Sequence, residues 1–207
     1  MNKIVLHILF VLLIVFAFFW LMWPTTVAKP IIYIYPEKDM NVSIKVNHPD
    51  KFTVTYPKYK DGWNVLAKTD GTLIDKNGKA YYALYWEGNN YSHESIKDDG
   101  FIVRGKDVSN FLEEKLEILG LNYKEREEFI IYWLPRLEKN KYNYIRFKTM
   151  DEINSIMKLE IDPKPDTLIR VLMEYKPLNR KITIKEQELK LVNRSGYTVV
   201  EWGGVEL

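Results

Sequence analysis

Ile31-Ile32-Tyr33-Ile34-Tyr35, stopped by Pro36, is a run of five residues with no charge in it. A strand wetted on one side would alternate, so a short unbroken run reads as a strand buried on both faces. The segments after it do alternate. Val42, Ile44 and Val46 are separated by Ser43 and Lys45, and Phe52, Val54 and Tyr56 by Thr53 and Thr55; Trp63, Val65 and Ala67 continue the pattern. Period two puts one face in a core and the other in water, the habit of antiparallel sheets. Asp70-Gly71 and Asn77-Gly78 are strong turn pairs, so residues 62–67, 72–75 and 80–87 are predicted to form a meander.

Residues 88–100 (GNNYSHESIKDDG) form a long polar stretch and read as a loop of the kind that carries function. A short strand over 101–103 follows. Asp107 is placed to cap a helix over 108–119 whose Val108, Phe111, Leu112, Leu116 and Leu119 make one stripe, closed by Gly120. Asn122 with Glu125 resembles a capping box opening a second helix, with Phe129, Ile130, Trp133 and Leu137 on its core side. Pro135 lacks the donor for the carbonyl of Ile131, which predicts an end or a kink near Leu134. Strands are predicted again over 144–148, 157–161, 168–175, 181–185 and 197–202, with a stiff Pro-rich turn at 162–166. A helical pair after several strands implies an α+β class with a largely antiparallel sheet.

Ahead of this domain, residues 4–23 are twenty positions without a formal charge, fifteen of them Leu, Ile, Val or Phe. As a helix they would be about 30 Å long, the thickness of a bilayer core, and insertion would gain on the order of 5–9 kcal/mol. Trp20 and Trp23 suit an interfacial belt, and Lys3 supplies the positive start. The expectation is a membrane anchor over 1–23 (signal-anchor, or a signal peptide), a linker over 24–30 and an extracytoplasmic α+β domain over 31–207. That is a single-pass protein of the cell membrane with its C-terminal domain outside, or a secreted one if the segment is cleaved.

Lys and Arg number 30 against 28 Asp and Glu, for a net charge of +2 with no basic block, which argues against nucleic acid as a partner. There is no cysteine, so no disulfide framework supports the fold. Fourteen Tyr, nine Phe and six Trp suit an aromatic β core or a surface for stacking sugars. The phrases Lys29-Pro-Ile-Ile-Tyr-Ile-Tyr-Pro36, Tyr85-Trp-Glu-Gly88, Leu119-Gly-Leu-Asn122, Glu128-Phe-Ile-Ile-Tyr-Trp-Leu-Pro135 and Tyr197-Thr-Val-Val-Glu-Trp-Gly-Gly204 resemble an uncharacterised family of exported bacterial envelope proteins. The resemblance runs over nearly the whole domain. It implies an envelope address and lends no catalytic residue.

Glu87 and Glu201 each stand beside a tryptophan and a glycine near a strand end. Two carboxylates across an aromatic-walled groove are what glycoside hydrolysis needs, one as acid and one as base or nucleophile. The simpler reading pairs one of them with Arg170, which lies mid-strand between Leu168 and Leu172. Metal chemistry is poorly supported: His7, His48 and His93 are far apart, and His93-Glu94 is followed by Lys97 where a zinc helix needs a second histidine. No glycine-rich phosphate loop or nucleophile elbow occurs, and no cofactor is implied. The expected function is a non-catalytic module that binds a wall polysaccharide or an envelope protein through Tyr85, Trp86, Tyr91, His93 and Trp202. The alternative is a carbohydrate-active hydrolase using Glu87 and Glu201.

Overall fold

The computed structural model describes residues 25–90 and 95–207, together with Val5, His7 and Phe10. At its centre is β1 (Thr25–Tyr35), which pairs on one side with β7 (Leu84–Asn90) and on the other with β13 (Thr198–Glu206). Beyond β7 lies the edge strand β3 (Phe52–Tyr56). Beyond β13 come β11 (Thr167–Leu178), β9 (Tyr142–Phe147), β8 (Asp99–Arg104) and the two-residue β12 (Lys185–Glu186), completing an eight-stranded sheet. A second sheet of five strands runs β10 (Leu159–Asp162), β2 (Met40–Val46), β4 (Trp63–Ala67), β5 (Leu73–Ile74) and β6 (Ala80–Tyr81). Pairing is antiparallel except between β11 and β13 and between β12 and β8.

Two cores result. Ile31 and Tyr33 point to one face of the large sheet, where α1 (Val108–Ile118) and α2 (Tyr123–Leu137) cover it with Leu112, Leu116, Phe129 and Trp133. Ile32 and Ile34 point to the other face, against Val42, Ile44, Trp63 and Val65 of the small sheet and Ile153 of α3 (Met150–Ile156). β1 is therefore buried on both sides, as its unbroken run requires. The architecture is three layers: helices, large sheet, small sheet.

The fold class departs from the α+β expectation. Strand makes up 42% and helix 23%, so the molecule is mainly β. Part of the excess comes from segments read as linker or loop. The expected linker 24–30 is largely strand, because a bulge between Ala28 and Ile31 absorbs Lys29-Pro30 and lets β1 continue. The polar stretch 88–100 likewise contributes the end of β7 and the start of β8.

Among the described residues no helix is long and apolar enough to cross a membrane. The longest, α2, has 15 residues, about 22 Å, and carries Lys124, Arg126, Glu127 and Arg136. This overturns the single-pass, signal-anchor and cell-membrane expectations, which no described element carries. The stretch 4–23 on which they were read lies, apart from Val5, His7 and Phe10, outside the described residues.

Local capping explains the helices. Asn122 and Glu125 close the expected box, each side chain bonding the other's backbone amide. α2 runs through Pro135 to Leu137 because Ile131, whose carbonyl loses its donor, sits on the solvent side at 73% exposure, where water replaces the bond.

Candidate functional site

Strand alternation sorts the two glutamates. On β13, Val199 and Glu201 face the small sheet while Val200 and Trp202 face the helices. On β7, Trp86 lies under the small sheet and its indole Nε1 donates to Glu201 Oε1 at 2.9 Å. Arg170, in register with Glu201 on β11, donates from Nε to Oε2 at 2.6 Å and from Nη1 to Asn154 at 2.8 Å. Glu201 is thus a buried carboxylate held by a guanidinium and an indole. Glu87, next to Trp86, points to the opposite face, where its charge acts on Tyr85 and on Tyr132 of α2. The sheet itself separates the two carboxylates, so no single cleft holds both.

A second charged group lies nearby on β9. Arg146 pairs with Asp99 at 2.9 Å, Glu152 at 3.0 Å and the fully buried Glu174 at 3.2 Å. Burial works against the charge on Arg146, but Glu152 and Asp99 outweigh it and raise its pKa. Burial likewise pushes the Glu152 carboxyl up; the Thr149 amide and Arg146 outweigh it and hold it below its ordinary value of 4.5. A depressed carboxylate contributes stability above its unfolded pKa and loses it as pH falls through the folded one. The urea midpoint is therefore expected to fall below about pH 4.5, and Glu152→Gln to remove roughly 0.5–1 kcal/mol of that fall. An acid limb unchanged in the variant would refute the assignment.

The open aromatic site lies elsewhere, where β3, β6 and the start of β7 meet. Tyr56 on β3 stands opposite Tyr85 on β7. Tyr81 packs edge-on against Tyr56 with ring centroids 5.5 Å apart, and Tyr82 tilts over Tyr33 at 6.3 Å. With Ile31, Thr72, Ala80 and Ala83 as floor and walls, Tyr56, Tyr81, Tyr82 and Tyr85 line a groove of about 460 Å³. Tyr82 is 63% and Tyr56 55% exposed. Lys79 lies over Tyr56 and Tyr81, at 5.5 and 5.2 Å from the ring centres. At the other end, Lys29 lies 5.9 Å from the centre of Tyr85 and 5.5 Å from that of Tyr132. Burial raises the pKa of Tyr33, Tyr82 and Tyr85, and that of Tyr81, so these phenols remain hydrogen-bond donors at neutral pH.

Of the residues expected to bind, Tyr85 lines this groove. Trp86 does not: it is 3% exposed beneath the small sheet. Trp202 is fully buried against Phe129 in the helical core. Both corrections have one cause, since each indole points to a covered face of its strand, Trp86 under the small sheet and Trp202 under the helices. Tyr91 and His93 lie outside the described residues. Tyr56, Tyr81 and Tyr82 were missed as a site; the Tyr81-Tyr82 doublet three residues after the Asn77-Gly78 turn was the signal for them. Among the described residues no group of three or more His, Asp or Glu side chains is arranged to hold a metal ion. Comparison with known proteins finds no matching family model, no matching curated protein and no matching solved structure.

Proposed function

We propose that the protein is a non-catalytic binding module for a carbohydrate chain, which lies along Tyr56, Tyr81, Tyr82 and Tyr85. The exposure of Tyr56 and Tyr82 carries this reading: large rings that a core would bury are held open at a groove whose volume suits a small ligand. Tyrosine gives a flat apolar face for the C–H side of a sugar ring and a hydroxyl for its rim, at the entropy cost of two rotatable bonds. The cross-strand pair Tyr56–Tyr85 and the T-shaped contact of Tyr81 hold the rings in place before any ligand arrives.

Hydrolysis is disfavoured by placement. Two carboxyls about 5–9.5 Å apart must flank one scissile bond, and Glu87 and Glu201 lie on opposite faces of a sheet. Tyr82→Ala is expected to weaken binding to a glycan array by tenfold or more while moving stability by less than about 0.5 kcal/mol. A wild-type protein that retains no glycan, or a Tyr56→Ala/Tyr82→Ala variant that binds as wild type, would sink the proposal.

A further inference from the structure

Lys79 lies over ring faces at one end of the groove, and beside Tyr85 two cations, Lys29 and Arg136, do so. Lys29 has a φ of +60° and is the one residue other than glycine with positive φ among the described residues. It sits at the bulge where β1 changes register against both neighbours. Side chains rarely adopt that conformation, and strained backbone of this kind gathers at ligand sites. Here it goes with an ammonium lying over both Tyr85 and Tyr132. Arg136, one turn on from Tyr132 along α2, lies 4.1 Å from the centre of the same Tyr132 ring and donates from Nη1 to the Tyr132 carbonyl. Two half-buried cations therefore share one tyrosine.

Neither has an ion-pair partner among the described residues. The carboxylates around them are engaged by phenols instead. Glu87 lies beside the Tyr85 hydroxyl, Glu206 accepts from Tyr175 at 2.5 Å, and Glu128 accepts from Tyr33 at 2.7 Å. At the far end Asp75 accepts from Tyr81 at 3.2 Å. The acids are bonded to phenols and keep their charge, whereas Lys29 and Arg136 rest on ring faces with no ion pair among the described residues. A cation–π seat holds a cation in place without neutralising it.

We infer that the sugar bound in the groove is acidic, with a carboxylate or sulfate ester received beside Tyr85 by Lys29, and by Arg136 on the neighbouring Tyr132 ring. This rests on the carbohydrate reading above and specifies its ligand class. Arg136 presents a flat pair of donors and Lys29 a point charge, a combination that suits a planar carboxylate or a sulfate oxygen.

The test is a panel of matched oligosaccharides, each acidic member set beside its neutral form: methyl-esterified for uronates, desulfated for sulfate esters. The acidic form is expected to bind at least tenfold more tightly, with affinity falling as salt rises. Lys29→Met should reduce the preference to threefold or less. Tyr82→Ala should weaken both forms together. Equal binding of the two forms by wild type, or a preference undiminished in Lys29→Met with Arg136→Met added, overturns the acidic-ligand inference and leaves the sugar groove standing. A panel from which nothing is retained overturns both.

Discussion

Arg170→Met is expected to destabilise the protein by about 3–5 kcal/mol, a drop in melting temperature on the order of 10 °C. The reason is what remains behind. Arg170 supplies the 2.6 Å bond to Glu201, both side chains are nearly fully buried, and methionine would leave the carboxylate with the Trp86 indole alone. An uncompensated buried charge costs more than the ion pair gains. Two companion variants separate this cause from loss of bulk. Glu201→Leu leaves the guanidinium unpaired and is expected to be as damaging. Arg170→Met with Glu201→Leu removes both charges and should recover most of the loss, since apolar replacements of similar size often match a buried ion pair. The measurement is urea unfolding of the three variants beside wild type. Additive losses in the double variant would mean that the two residues are not coupled, and that the pair is not what holds β11 against β13 on that face.

Although the choice between Glu87 and Glu201 was not, the need of Arg170 for an acid was legible in the sequence, because a basic residue between Leu168 and Leu172 on a buried strand must be paired. So was β1, whose five-residue run carries the pattern of a strand covered on both faces. The two helices were legible for the same local reasons, a stripe of apolar residues and a capping box. What escaped was fixed by non-local pairing. Pro30 looks like the end of a linker, yet β7 and β13 pair with the chain on both sides of it and draw 25–30 into the sheet through a bulge. The helix α3 has a full box between Thr149 and Glu152, but seven residues are too few for a periodic stripe to register. Residues 181–184 alternate like a strand, and only Lys185 and Glu186 pair, while Ile182 and Ile184 line a groove beside β8.

The site was less legible, because alternation sorts side chains between two faces without saying which face is wet. Tyr81, Ala83, Tyr85 and Glu87 could be placed on one side of a strand from sequence. That this side opens at Tyr85 depends on how far α2 extends over the large sheet, and that the neighbouring Trp86 is sealed depends on the small sheet beyond it. The aromatic count pointed to a core or a stacking surface; among the described residues the tryptophans are in the cores, and four tyrosines line the groove.

Trp202 makes that division measurable. A tryptophan that stacked on ligand would tolerate truncation with little change in melting. In the fold, Trp202 is fully buried, its ring 5.3 Å from Phe129 in an edge-to-face contact, while Glu201 beside it turns to the opposite core. The packing is tight two residues further along β13, where a Cβ placed on Gly204 would come within 2.6 Å of the Trp133 ring and 3.0 Å of the Met173 carbonyl. Trp202→Ala is expected to cost about 3–5 kcal/mol, with the slope of the urea transition unchanged. Trp202→Phe should cost less, roughly 1–2 kcal/mol, because phenylalanine keeps the contact with Phe129 and removes a buried indole N–H that has no acceptor among the described residues. Sugar affinity measured on folded Trp202→Phe should equal that of wild type, since the fully buried ring reaches no ligand and Ile31 stands between it and Tyr85 on the cross-strand row. Equal melting temperatures for wild type and Trp202→Ala would place this ring at a surface and would undo the assignment of tryptophan to the cores on which the choice of groove rests.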